Sequence, residues 1–266
     1  MITLHELKRH AAKESIALGS AEKDYALTHL LYGISRLKEK ERFIFKGGTA
    51  LKKVYFPDWR YSEDLDFTVT EPYSKDALMP ILGELFSIVS DSSGIECNLV
   101  SVHMNPGYAM VRVQFLALLK SRNAVKIDLS FNEPVFTREQ REILWDYSDK
   151  KTSRILVYSL EEILAEKLRS ILERGKSRDY YDAWRLLKFH RDSLDRGVVR
   201  DVFVRKCRFK GIQPDPGQMF SSQNLESARG YWSKALAYLV EGLPEFDSVV
   251  KELKEMIDSL LKEAKE

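Results

Sequence analysis

DLDFTV at residues 64–69 alternates polar with apolar side chains, and AVKIDLSF at 124–131 does so again. Period-two alternation is the pattern of a strand with one buried face. It sets Leu65, Phe67 and Val69 against Asp64, Asp66 and Thr68. In the later segment Val125, Ile127, Leu129 and Phe131 face the core, and Lys126, Asp128 and Ser130 share the polar side. A chain with two such strands must build a sheet that is covered on one face. It must also accommodate two carboxylates about 6.5–7 Å apart on a single strand. Like charges at that spacing raise one another's pKa and cost folding energy unless a cation neutralises them.

The remaining patterns place these strands in a larger plan. LTHLLYGISRL has apolar residues at helical spacing, FIF at 43–45 reads as a short buried strand, and TALKKVYF reads as a brief helix with Thr49 as its N-cap. A helix is expected around 75–90. ECNLVSV and YAMVRVQFLAL then read as a hairpin turning at Asn105-Pro106-Gly107. Beyond about residue 155 the strand signals fade and helices run to the end. The expected organisation is an α+β chain, with a small mixed sheet and N-terminal helices over 1–155 and a helical domain over 156–266.

Composition narrows the class. With 44% hydrophobic and 31% charged residues and no run of about 18 apolar residues, the chain reads as globular and not as membrane-spanning. The charged N-terminus, MITLHELKRHAAKES, lacks the apolar stretch of a signal peptide, so the cytoplasm is the expected compartment. Cys97 and Cys207 have no CxxC spacing, and the five histidines form no HExxH pair, so a metal would be held by oxygen. Residues 150–210 carry 17 Lys and Arg against 9 Asp and Glu, a surplus of 8, which leaves the rest of the chain at −6 within a net charge of +2. Such asymmetry suits a polyanion bound beside an acidic metal site, and equally a solvated arginine-rich helical face.

A D-x-D pair alone is ordinary decoration on a solvent-facing strand. Here it follows a strand and a Gly47-Gly48 turn into a helix N-terminus, and precedes a second strand with Asp128 on its polar face. Backbone N–H groups at such a turn cradle phosphates. Magnesium or manganese, hard cations that prefer oxygen, would bridge phosphate and the Asp64, Asp66 and Asp128 carboxylates.

The segments G-G-T-A-L, R-Y-S-E-D-L-D-F, K-I-D-L-S, A-E-K-L and R-G-K-S-R-D-Y-Y-D, in that order from Lys46 to Asp182, resemble the AbiEii/AbiGii family of nucleotidyltransferase toxins. This family is related to the MenT toxins and lies within the DNA polymerase beta-type nucleotidyltransferase superfamily. The early E-K-D-Y-A-L-T is similar too. One departure is Gly48, where the wider superfamily more usually has a serine after the first glycine; Thr49 is the nearby hydroxyl.

The resemblance implies a nucleotidyltransferase palm followed by a helical domain. It implies transfer of a nucleoside monophosphate from a nucleoside triphosphate (NTP) to an acceptor hydroxyl, with release of pyrophosphate. The leading acceptor is the 3′ end of transfer RNA, and a cognate antitoxin is the implied protein partner. Asp64, Asp66 and Asp128 would hold the metal. Lys46, Gly47, Gly48 and Thr49 would meet phosphate, and Arg60 would clamp a phosphate or orient a carboxylate, unless it is a surface arginine. Lys167 falls inside the apolar arc of the helix that Ser159 and Glu162 begin, so its ammonium either snorkels outward or balances triphosphate charge. Lys176, Arg178, Asp179 and Asp182 are implied to shape the nucleotide or acceptor site, although Arg178 and Asp182 also have the spacing of an i,i+4 ion pair. Small-molecule, protein and nucleotide acceptors remain open. The rivals are a non-catalytic nucleotide-binding regulator of the same fold and a metal-dependent nuclease.

Overall fold

The structure, a computed structural model, describes residues 1–261. The chain divides into two compact units, one of residues 1–133 and 138–157 and the other of residues 134–137 and 158 onward.

The first unit is a seven-stranded mixed sheet with helices α1 (Leu4–Lys13), α2 (Leu18–Arg36) and α4 (Lys75–Ser93). The strands are β1 (Phe43–Lys46), β2 (Asp64–Val69), β3 (Glu96–Asn105), β4 (Tyr108–Leu116), β5 (Asn123–Phe131), β6 (Arg138–Glu142) and β7 (Arg154–Tyr158). They lie in the order β3-β4-β5-β2-β1-β7-β6. β2 is antiparallel to β1 and parallel to β5, β3 and β4 form the hairpin, and β7 runs parallel to β1. The sheet is thus larger than the small one expected. β6 (REQRE, without apolar alternation) and β7 extend it with strands that the sequence pattern did not single out.

Alternation works as the sequence requires. Leu65, Phe67, Val111, Val113, Ile127 and Leu129 are at most 3% exposed. Val111, Ile127 and Leu129 line a small apolar cavity together with Ile34 and Leu37 at the end of α2 and Leu78, Leu82 and Leu85 of α4. Each fully buried side chain of this kind contributes about 1.5–3 kcal/mol. Gly33 lets α2 and α4 approach closely, because a Cβ there would stand 2.7 Å from Leu85 Cδ1. α4 starts on the Ser74 hydroxyl and stops at Gly94 in the left-handed region, a glycine stop.

The second unit is helical: α5 (Leu160–Arg174), α6 (Ser177–Phe189), α7 (Arg196–Phe209), α8 (Ser222–Leu236) and α9 (Phe246–Leu261). α5 begins where the Ser159 hydroxyl accepts the Glu162 N–H, as its spacing predicts. Glu162 and Lys206 are both buried and pair at 2.9 Å, joining α5 to α7. Tyr180, Trp184 and Leu187 are buried core residues of α6. Cys97 and Cys207 are unpaired, and burial pushes their thiols up to about 12 and about 11. Among the described residues no helix is long and apolar enough to cross a membrane.

Candidate active site

β1 ends directly in the glycine pair. Gly47 has φ +80°, which a residue with a Cβ adopts only at a cost, and opens α3 (Gly47–Ala50). The helix continues as one π-helical turn over Leu51–Tyr55. The expectation that Thr49 caps this helix is corrected: Lys46 is the N-cap residue, and Thr49 lies inside the helix. Its hydroxyl donates to the Asp64 carbonyl at 2.5 Å, tying the turn to β2.

Strand register then assembles the acids. Lys46 stands opposite Asp66 on β1, and Asp66 stands opposite Asp128 on the parallel β5. In the adjacent row Asp64 stands opposite Lys126. Side chains in register on neighbouring strands share a face about 5 Å apart. A Cβ on Gly47 would come within 2.5 Å of Asp66 Oδ2, so the bare backbone of the turn lies against that carboxylate. A Cβ on Gly48 would meet the Arg60 guanidinium at 2.8 Å. Arg60 is only 4% exposed and donates to the Tyr61 carbonyl at 3.1 Å, so it is a buried residue behind the turn and not a surface arginine. Lys46 donates to Glu133 Oε2 at 2.5 Å.

The three aspartates therefore lie on one sheet face, but they are not gathered as ligands. Among the described residues no three His, Cys, Asp or Glu side chains converge as a metal site. Two groups engage Asp128, and one of them also reaches Asp64. Lys126 Nζ lies 2.7 Å from Asp128 Oδ2 and 3.7 Å from Asp64 Oδ2, and the Tyr108 hydroxyl donates to Asp128 Oδ1. Burial opposes the Lys126 charge, yet the surrounding carboxylates outweigh it and raise its pKa. Burial, with Asp128 alongside, pushes the Tyr108 hydroxyl up as well. The donor set fits a hard divalent cation: three carboxylates on adjoining strands, with a glycine backbone beside them. Lys126 was legible as a neighbour of Asp128 on the polar face, but its place opposite Asp64 was not. Tyr108 and Glu133 carried no sequence signal.

Behind the turn the π-helical segment buries two lysines that periodicity did not single out. Lys53 donates to Asp24 at 2.7 Å, and Tyr147 donates to the same oxygen at 2.7 Å. Burial works against ionisation of Asp24, but the lysine charges prevail and hold its pKa below the usual range. Lys52 donates to the carbonyls of Pro57 and Trp59, fixing the loop before β2.

In the second unit Lys167 bonds Asp179 and Asp182, each at 3.0 Å, and Arg174 reaches Asp179 at 3.1 Å. Asp179 is buried, which alone would raise its pKa; Lys167 and Arg174 reverse this and lower it. Arg178 instead donates to the Tyr238 hydroxyl at 2.7 Å and to the Ala235 carbonyl, and Lys167 bonds Asp182, where the i,i+4 spacing had suggested an Arg178–Asp182 pair. Lys176 caps α6 and is exposed.

Residues 29–252 match the family described as nucleotidyl transferase AbiEii toxin, type IV toxin–antitoxin system. Among solved structures, MenT4, the nucleotidyltransferase toxin Rv2826c from Mycobacterium tuberculosis H37Rv, is similar in fold with a TM-score of 0.74. The two are 19% identical over 100% of this chain and 91% of that one. No curated protein matches the sequence. With a match that spans most of its length, the chain belongs to the AbiEii family of nucleotidyltransferase toxins of type IV toxin–antitoxin systems.

Proposed function

We propose that the protein transfers a nucleoside monophosphate from an NTP to an acceptor hydroxyl, with Asp64, Asp66 and Asp128 holding magnesium or manganese. The register that sets Asp66 beside Asp128, with the Gly47 backbone against Asp66, carries this reading. A divalent ion bound there would neutralise triphosphate charge and lower the acceptor hydroxyl's pKa. The chain's own part is positional. Thr49 fixes the turn on the Asp64 carbonyl and Lys52 fixes the loop leading into β2; the backbone N–H groups after Gly47 would meet phosphate. Lys46 and Arg60 add positive charge around the turn. In this reading residues 1–155 form the catalytic palm domain and residues 156–266 a helical domain, in which Lys167, Lys176 and Asp182 are the residues proposed to have a functional role.

The acceptor in this proposal is RNA, specifically the 3′ end of transfer RNA, and the protein acts as a toxin in the cytoplasm, opposed by a cognate antitoxin. The surplus of positive charge over residues 150–210 supports a polyanionic acceptor. The test incubates purified protein with magnesium, total RNA and each α-labelled NTP, beside Asp66→Asn. Label entering an RNA band only with the intact aspartate is the expected result. RNA shortened without added NTP would turn the reading to a nuclease, and NTP binding without transfer would turn it to a regulatory protein.

A further inference from the structure

We propose that Lys126 is an internal counter-ion that occupies the carboxylate site until a divalent cation displaces it, and so sets the affinity and selectivity of the site for that cation. This inference rests on the metal role proposed for Asp64 and Asp128.

The parallel pairing of β2 with β5 places Lys126 opposite Asp64 and two residues before Asp128, on the same face as both. Its ammonium spans the pair, 2.7 Å from Asp128 Oδ2 and 3.7 Å from Asp64 Oδ2. A bridging cation would have to share those same two carboxylates, with magnesium–oxygen distances of about 2.0–2.1 Å. An ammonium already among these oxygens competes with the ion in both space and charge. The surroundings allow release: the Lys126 side chain is 38% exposed, so its flexible stem can carry the ammonium into water. Asp128 is less free. Its side chain is 13% exposed, and its other oxygen accepts the Tyr108 hydroxyl, so the carboxylate stays on the sheet when the lysine leaves. Without the lysine, three aspartates on neighbouring strands would repel one another in the metal-free protein. The lysine removes that cost and in return weakens the site toward any cation that cannot outcompete one ammonium. A divalent ion does so by its double charge, whereas sodium and potassium carry no such advantage.

The experiment titrates Mn2+ alone into the full chain and follows free Mn2+ by electron paramagnetic resonance. It compares wild type, Lys126→Met, Lys126→Gln, Lys126→Arg, Asp64→Asn and Asp128→Asn. The expected result is about tenfold tighter Mn2+ binding in the Met and Gln variants, near wild-type affinity in the Arg variant, and loss of binding in both aspartate variants. The Met and Gln variants should also gain more in thermal unfolding temperature on adding Mn2+ than wild type does. Unchanged or weaker Mn2+ binding in both neutral variants, with binding still lost in the aspartate variants, overturns the role of Lys126 and leaves the metal site standing. Mn2+ binding indifferent to Asp64→Asn and Asp128→Asn overturns both.

Discussion

Gly47→Ala separates the geometry of the site from the stability of the fold. Gly47 holds φ +80°, so alanine there costs about 1–2 kcal/mol in backbone strain. For a domain of this size that lowers the unfolding temperature by about 3–6 °C. The new Cβ also meets Asp66 Oδ2 at 2.5 Å, and restoring an ordinary 3.4 Å contact moves the carboxylate by about 0.9 Å. A misplacement near 1 Å at a reacting centre costs on the order of 100-fold in rate. Gly94→Ala is the matched control. Gly94 has φ +74°, and its Cβ would meet only Met1 Cε, at 3.5 Å, so it carries similar strain without touching the acids. The assay measures NTP-dependent labelling and thermal unfolding for both variants. Similar losses of stability are expected, with transfer falling about 100-fold only in Gly47→Ala. Full activity in Gly47→Ala, or an equal loss in Gly94→Ala, would refute the claim that the bare glycine backbone positions Asp66.

Lys53→Met should destabilise the protein by about 3–5 kcal/mol, because it leaves the Asp24 carboxylate buried beside Tyr147 without its cation. Adding Asp24→Leu should recover most of that loss in urea denaturation, and no recovery would show that the pair is not the cause. Acidification should destabilise the fold below about pH 6.5. His29 is fully buried and its pKa is lowered by that burial despite Asp149 at 3.3 Å, so the unfolded chain takes up a proton that the folded chain refuses. Burial lowers His10 in the same direction, so a His10→Gln/His29→Gln double variant should flatten the dependence of unfolding free energy on pH below about 6.5. If RNA is the acceptor, reversing the charge of the exposed Lys150 and Lys176 should weaken RNA binding and reduce its salt dependence, as filter binding across a salt series would show. Arg174 is a poor probe of the same idea, since it is tied to Asp179.

What the sequence revealed and what it concealed divide along one physical line. Alternation is a local property, so the faces of β2 and β5 and the acids on them were readable residue by residue. So were the glycine turn and the Ser159 cap, each written within a few neighbouring positions. Register is not local. That Asp64 stands opposite Lys126, and Asp66 between Lys46 and Asp128, follows from pairing strands that lie far apart in the chain. Nothing in DLDFTV states which residues will flank it. The same holds for Lys52 and Lys53, which read as ordinary helix residues until a π-helical turn carries both inward, toward backbone carbonyls and toward Asp24. β6 escaped for a related reason. REQRE is strand by virtue of its place at the sheet edge, where four of its five side chains are exposed and none needs to be apolar. Periodicity therefore names the acids proposed to hold a cation, while register decides what they meet in its absence. Here the second answer is a lysine. The repulsion that makes a D-x-D strand costly is thus already met within the folded chain, and it does not by itself require a metal. What favours the proposed metal is instead the set of three acids together with the glycine backbone beside Asp66, an arrangement that a charge-balancing lysine alone would not call for.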